Sequence, residues 1–215
     1  MEEPGQHPIS SASGLDVVER FLERTSERRP SLVSRLGLSA IQALTIGADH
    51  PGEGTTQALT VLFTDLEGFT QFNSRAGDDA AAEVLHEHHR VVGPVIRSRG
   101  GKLVKRIGDG LLVTFGEAAA AVHAAVELVE SAPDGLRLRA GLHSGDVVVQ
   151  AGDVIGNVVN LAARVTEASK GGQVLATAEV LGDAGELRGL KAQRGRRRTF
   201  KGVDGSVVVH RVERA

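Results

Sequence analysis

The chain has 215 residues, of which 41% are hydrophobic, 24% charged and 3% aromatic, with 25 basic against 27 acidic side chains and a formal net charge of -2. That length and apolar content suffice for one globular domain and an appendage, and the near-neutral balance excludes a global field drawing the chain to nucleic acid or an anionic membrane. The sequence has no cysteine for a disulfide or a Cys-based zinc site, no apolar run of the roughly 18 to 20 residues that a membrane span needs and no leader-like start, so a cytoplasmic chain binding neither nucleic acid nor membrane is expected.

Residues 1–14, rich in Ser, Pro and Gly, read as a disordered tail. Leu15, Val18, Phe21 and Leu22 then recur at helical spacing until Pro30, and a second pattern runs through Leu36, Ile41 and Leu44. Residues 15–54 are therefore expected to form a short helical segment and linker, the linker signalled by the Gly, Pro and Thr of ADHPGEGTTQ from Ala48 onward, with the main domain at 55–215.

Within that domain ALTVLFT (58–64) reads as a strand, and 78–99 as a long helix with Ala81, Val84, Leu85, Val91, Val92 and Val95 facing inward. KLVKRI and LLVTF are strands flanking a Gly-Asp-Gly turn, and a helix follows at 117–129. RLRAGLHSGDVVVQ returns to strand, 155–169 is helical, GQVLAT is a strand, and RTFKG with SVVVHRV forms a closing pair. This order predicts an α+β fold: a ferredoxin-like βαββαβ core with additional C-terminal strands, preceded by the short helical N-terminal segment.

In such a core the first strand lies beside the hairpin, which brings Asp65 at the end of strand one close to Asp109 at the hairpin tip. Two carboxylates about 4 Å apart repel by roughly 4 kcal/mol at an effective dielectric near 20, a cost that bound Mg²⁺ or Mn²⁺ would relieve. A purely structural reading stands beside this one: Gly-Asp-Gly is a good hairpin turn by itself, and Asp65 is placed to cap a helix starting near Gly68.

Strand alternation puts Lys105 on the same side as Leu103 and Ile107, where a lysine needs a partner. In DVIGNVVNLAAR, Asn160 and Arg164 share a helix face four residues apart, with Asp153 just ahead of the helix. RRRTFKG offers Lys201 in a basic tract that reads as a solvated edge. His86 to His89 lack the HExxH spacing because Arg90 stands at the fifth position, so these histidines are expected at the surface or rim; His143 reads as a satisfied structural histidine.

FTDLEGFT, KRIGDG, GLHSG and DVIGNVVNLAAR, in this order and at these separations, resemble the catalytic domain of the class III nucleotidyl cyclases over about three quarters of the chain, Thr56 to Val212. The resemblance implies two divalent cations, Mg²⁺ or Mn²⁺, on Asp65 and Asp109, with the Leu66 carbonyl as a further candidate ligand. It implies that Lys105 and Asp153 read the purine, Asn160 orients the ribose, Arg164 stabilises the transition state and Lys201 grips the terminal phosphates. A lysine donor with an aspartate acceptor suits adenine N1 and N6, so ATP is the expected substrate and 3′,5′-cyclic AMP with pyrophosphate the expected products. Because the family divides these residues between two protomers and this chain carries both sets, a homodimer with two equivalent sites is implied. The rivals are a guanylate cyclase, against which Lys105 argues, and a non-catalytic nucleotide-binding dimerisation module with the same fold. An RNA-binding domain on this topology would need exposed aromatics, and the chain has no Tyr or Trp.

Overall fold

The computed structural model describes residues 54–215, so the predicted tail and N-terminal helices lie outside the described residues. The first strand, β1 (Thr55–Glu67), leads through α1 (Phe69–Ala76) into the long helix α2 (Asp78–Ser98). The hairpin β2 (Lys102–Ile107) and β3 (Gly110–Phe115) follows, then α3 (Ala118–Glu130), the long β4 (Arg137–Gln150) and the short β5 (Asp153–Ile155). After α4 (Asn157–Ala168) come β6 (Val174–Thr177), α5 (Ala178–Ala184), β7 (Leu190–Ala192), β8 (Arg196–Arg198) and β9 (Val207–Arg214).

The sheet order is β2-β3-β1-β4-β6-β9-β7, with β5 added to β4 and β8 to β9. Its first four strands give the expected ferredoxin-like core, in which β1 lies antiparallel between β3 and β4. The C-terminal strands extend that sheet, as expected, and no described helix is long and apolar enough to cross a membrane.

Alternation along β1 divides the core between two faces of the sheet. Leu62, Leu138 and Leu142 are fully buried on one face, where Ala121, Ala124 and Ala125 let α3 lie close to the strands. Val61, Leu112, Val147, Val154 and Ala162 cluster on the other, where the β4–β5 hairpin and α4 cover the sheet. Gly141 makes that second packing close: a Cβ there would stand 2.3 Å from the Thr166 backbone nitrogen of α4.

Several expectations need correction. The strand pairing with SVVVHRV is Arg196–Arg198 and not RTFKG, because the chain turns where Val203 N donates to the Phe200 carbonyl. In α2 the inward face carries Ala81, His88, Val92 and Ile96, whereas Val91 is 39% exposed. His88 is buried and not at the rim, since its position shares the stripe of Ala81, Val92 and Ile96 at helical spacing. A bulge at Val104 shifts the β2 register, so Leu103 pairs with Val113 and Lys105 with Leu112; Leu103 and Lys105 therefore face opposite sides of the sheet.

Candidate active site

Asp65 sits near the end of β1 on the α4 face, opposite Arg139 of β4. Asp109 lies at the tip of the β2–β3 hairpin and is fully buried, with Oδ2 accepting the Leu66 N–H at 2.8 Å. The tip is pinned to β1 by two further features. Leu111 N donates to Thr64 Oγ1 at 3.2 Å, and Gly110 passes so close that a Cβ would stand 2.3 Å from the Thr64 carbonyl oxygen. The turn thus serves to seat a carboxylate under β1, and α1 has Gly68 as its N-cap with no side-chain cap from Asp65.

The second Asp109 oxygen, Oδ1, is buried without a hydrogen-bond partner among the described residues. Burial first, and the neighbouring Asp65 carboxylate second, push the Asp109 pKa up to about 7, while the Leu66 N–H works against them. An unsatisfied buried oxygen beside a second carboxylate is the donor set that a hard divalent cation favours, so the residues present fit such an ion.

Arg139 was not among the residues singled out from sequence. Its Nε donates to Asp65 Oδ2 at 2.7 Å and its Nη2 lies 2.5 Å from the same oxygen, which leaves Oδ1 outside the guanidinium fork. Both side chains are nearly buried, at 15% and 12% exposure. Strand alternation gave no signal for it: Arg139 shares its side with Arg137 and alternates with the apolar Leu138 and Ala140, the pattern of a solvated strand face.

Lys105 and Asp153 meet directly, with Nζ 2.5 Å from Oδ2, and Asp153 Oδ1 accepts the Val154 N–H at 2.8 Å. The hairpin thus contributes to two separate hydrogen-bonded groups, Lys105 to the one with Asp153 and Asp109 to the one at the end of β1. On α4, Arg164 Nη1 donates to Glu167 Oε2 at 2.9 Å; burial pulls the Arg164 pKa down and the Glu167 carboxylate pushes it back up. Asn160 is exposed one turn earlier on the same helix, and Lys201 is exposed in the turn joining β8 to β9. His143 Nδ1 lies 2.9 Å from Thr177 Oγ1, in keeping with a structural role.

The family model for the adenylate and guanylate cyclase catalytic domain matches residues 53–202. An adenylate cyclase of Streptomyces coelicolor is 36% identical over 137 residues, covering 62% of this chain and 36% of the relative. A pH-sensitive adenylate cyclase of Mycobacterium tuberculosis is 35% identical over 184 residues, covering 81% of this chain and 45% of the relative, so the chain spans less than half the length of either. Among solved structures, the guanylyl cyclase Cya2 superposes with a TM-score of 0.67 at 27% identity, over 75% of this chain and 95% of that one. The adenylyl cyclase CyaB of P. aeruginosa superposes with a TM-score of 0.68 at 23% identity, over 76% and 97%, and shares the fold. With a family match over more than half its length, the chain belongs to the adenylate and guanylate cyclase catalytic domain family.

Proposed function

We propose that this chain converts ATP to 3′,5′-cyclic AMP and pyrophosphate, as a homodimer whose two equivalent sites each draw on both protomers. The observation that carries the catalytic reading is the buried convergence of Asp65 and Asp109, with Asp109 Oδ1 lacking a partner among the described residues.

Asp65 and Asp109, with the Leu66 carbonyl as a further ligand, would hold two Mg²⁺ or Mn²⁺ ions. Bound there, the ions would supply Lewis acidity toward the ribose 3′-hydroxyl and offset charge on the triphosphate. Arg139 keeps one oxygen of Asp65 occupied and so fixes the orientation of the other. From the partner protomer Lys105 donates to adenine N1 and Asp153 accepts from the N6 amine, each giving up its bond to the other when the base enters. Asn160 orients the ribose, and Lys201 grips the terminal phosphates. The 3′-hydroxyl gives up its proton to water as its oxygen bonds the α-phosphorus and the bond to pyrophosphate breaks, and Arg164, held by Glu167, meets the charge that builds on the phosphoryl oxygens.

Two facts support the ATP assignment: a lysine and an aspartate form the candidate purine pair, and two of the relatives are named adenylate cyclases. The test is turnover of ATP and GTP by the purified chain with Mn²⁺, with products resolved by chromatography. Cyclic AMP formed in preference to cyclic GMP is expected; cyclic GMP alone would reassign the chain as a guanylate cyclase, and no product from either would favour a non-catalytic module.

A further inference from the structure

Helix α2 crosses the back of β2, and two consecutive residues thin its wall. Gly93 has no side chain, and Pro94 has no N–H, which leaves the Arg90 carbonyl without its helical donor. A cavity of about 250 Å³ opens beside them, with Ile96 and Leu103 among its apolar lining. The bulge at Val104 turns Leu103 and Arg106 together toward α2, across the sheet from Lys105.

The polar lining carries one sign of charge. His89, Arg90, Arg97 and Arg106 all contribute to it, and no acid does. Glu87 takes up Arg90 through bonds of 2.8 and 3.0 Å, but no carboxylate among the described residues pairs with Arg97 or Arg106. Arg97 lies back along its own helix, so that a Cβ at Gly93 would stand 3.2 Å from Arg97 Nη1; the glycine makes room for the guanidinium. His89 Nε2 is buried with no hydrogen-bond partner among the described residues, and burial first, then the Arg106 charge, lower the His89 pKa. Guanidiniums stay charged at any working pH, and their fork geometry matches phosphate oxygens.

We propose that this cavity is an anion site on the opposite face of the sheet from Lys105, and that it takes a small phosphate-bearing anion held by Arg97 and Arg106, with His89 Nε2 as a neutral donor. The volume suits one or two phosphoryl groups, supplied either as the inorganic ion or as the phosphate of a nucleotide.

The test is calorimetric titration of inorganic phosphate, pyrophosphate and AMP into the full chain in EDTA, without metal. Saturable binding of phosphate or pyrophosphate at one site per chain is expected, and AMP binding more tightly than either would assign the site to a nucleotide phosphate. Arg97→Gln with Arg106→Gln should weaken binding by about tenfold or more, because two charge-assisted contacts are lost. Both arginines are exposed, and an unchanged melting curve shows that the double variant is folded. Lys201→Gln, which alters the exposed β8–β9 turn, should leave the affinity unchanged. The proposal is overturned if no anion binds, if the double variant binds as tightly as the parent, or if the Lys201 variant loses the binding instead.

Discussion

Arg139 and Asp65 form a nearly buried ion pair in which Nε and Nη2 both address a single carboxylate oxygen, Oδ2, across the β1–β4 ladder. Removing the guanidinium leaves an aspartate of 9% exposure without its counter-charge, beside a second carboxylate. Arg139→Gln is therefore expected to destabilise the metal-free protein by about 3 kcal/mol, the low end for breaking a buried pair. Urea denaturation in EDTA measures it. Added Mn²⁺ should restore more stability to the variant than it adds to the parent, and equal gains would mean that the arginine does not share the site's charge balance.

A contrary effect is expected one residue pair away. Asp109 has its folded pKa raised from 3.8 to about 7, so between those values the unfolded chain releases a proton that the fold retains, and metal-free stability falls as pH rises through that window. Asp109→Asn should thus stabilise the metal-free protein at pH 8 while abolishing its response to Mn²⁺. In the parent, Mn²⁺ should raise the melting temperature more at pH 8 than at pH 5; the same shift at both would count against Asp109 as a ligand.

His88 gives the opposite slope. It is 1% exposed with neither ring nitrogen bonded among the described residues, and burial, with His89 second, lowers its pKa from 6.5 to about 4. The fold favours the neutral ring, so its contribution is fully present above pH 6.5 and is lost as pH falls toward 4, by about 3 kcal/mol in all. His88→Leu should flatten this part of the pH–stability curve, as read by thermal melts between pH 4 and 7.

Gly141 tests how α4 is placed. Gly141→Ala would bring a methyl within 2.3 Å of the Thr166 nitrogen, so the helix bearing Asn160 and Arg164 must shift. A stability loss of about 2 kcal/mol is expected from the overpacking. Activity should drop on the order of a hundredfold, because a displacement near 1 Å suffices to spoil alignment. Full activity with reduced stability would mean that α4 does not carry the reacting geometry.

The core was readable because its signals were local. Gly-Asp-Gly between two apolar runs fixes a hairpin, and an apolar run ending in Asp65 fixes the neighbouring strand. What escaped depends on register and on distant partners. The bulge at Val104 has no glycine to mark it, and it turned Leu103 away from Lys105. Arg139 gains its meaning only from lying opposite Asp65, 74 positions earlier in the chain. His88 looked like one of a polar cluster because composition outweighed its place on the Ala81, Val92 and Ile96 stripe. Short elements such as β7 and α5 lack the length for a periodic signal.

The central claim is that the acids at the end of β1 and the residues of α4 act on one nucleotide only when supplied by different chains. Asp65→Ala and Arg164→Ala proteins, each folded and able to associate, are mixed and assayed for cyclic AMP from ATP with Mn²⁺. Each alone should be inactive, and the mixture should regain activity through heterodimers that hold one intact site. A mixture as inactive as its components would contradict the shared-site account.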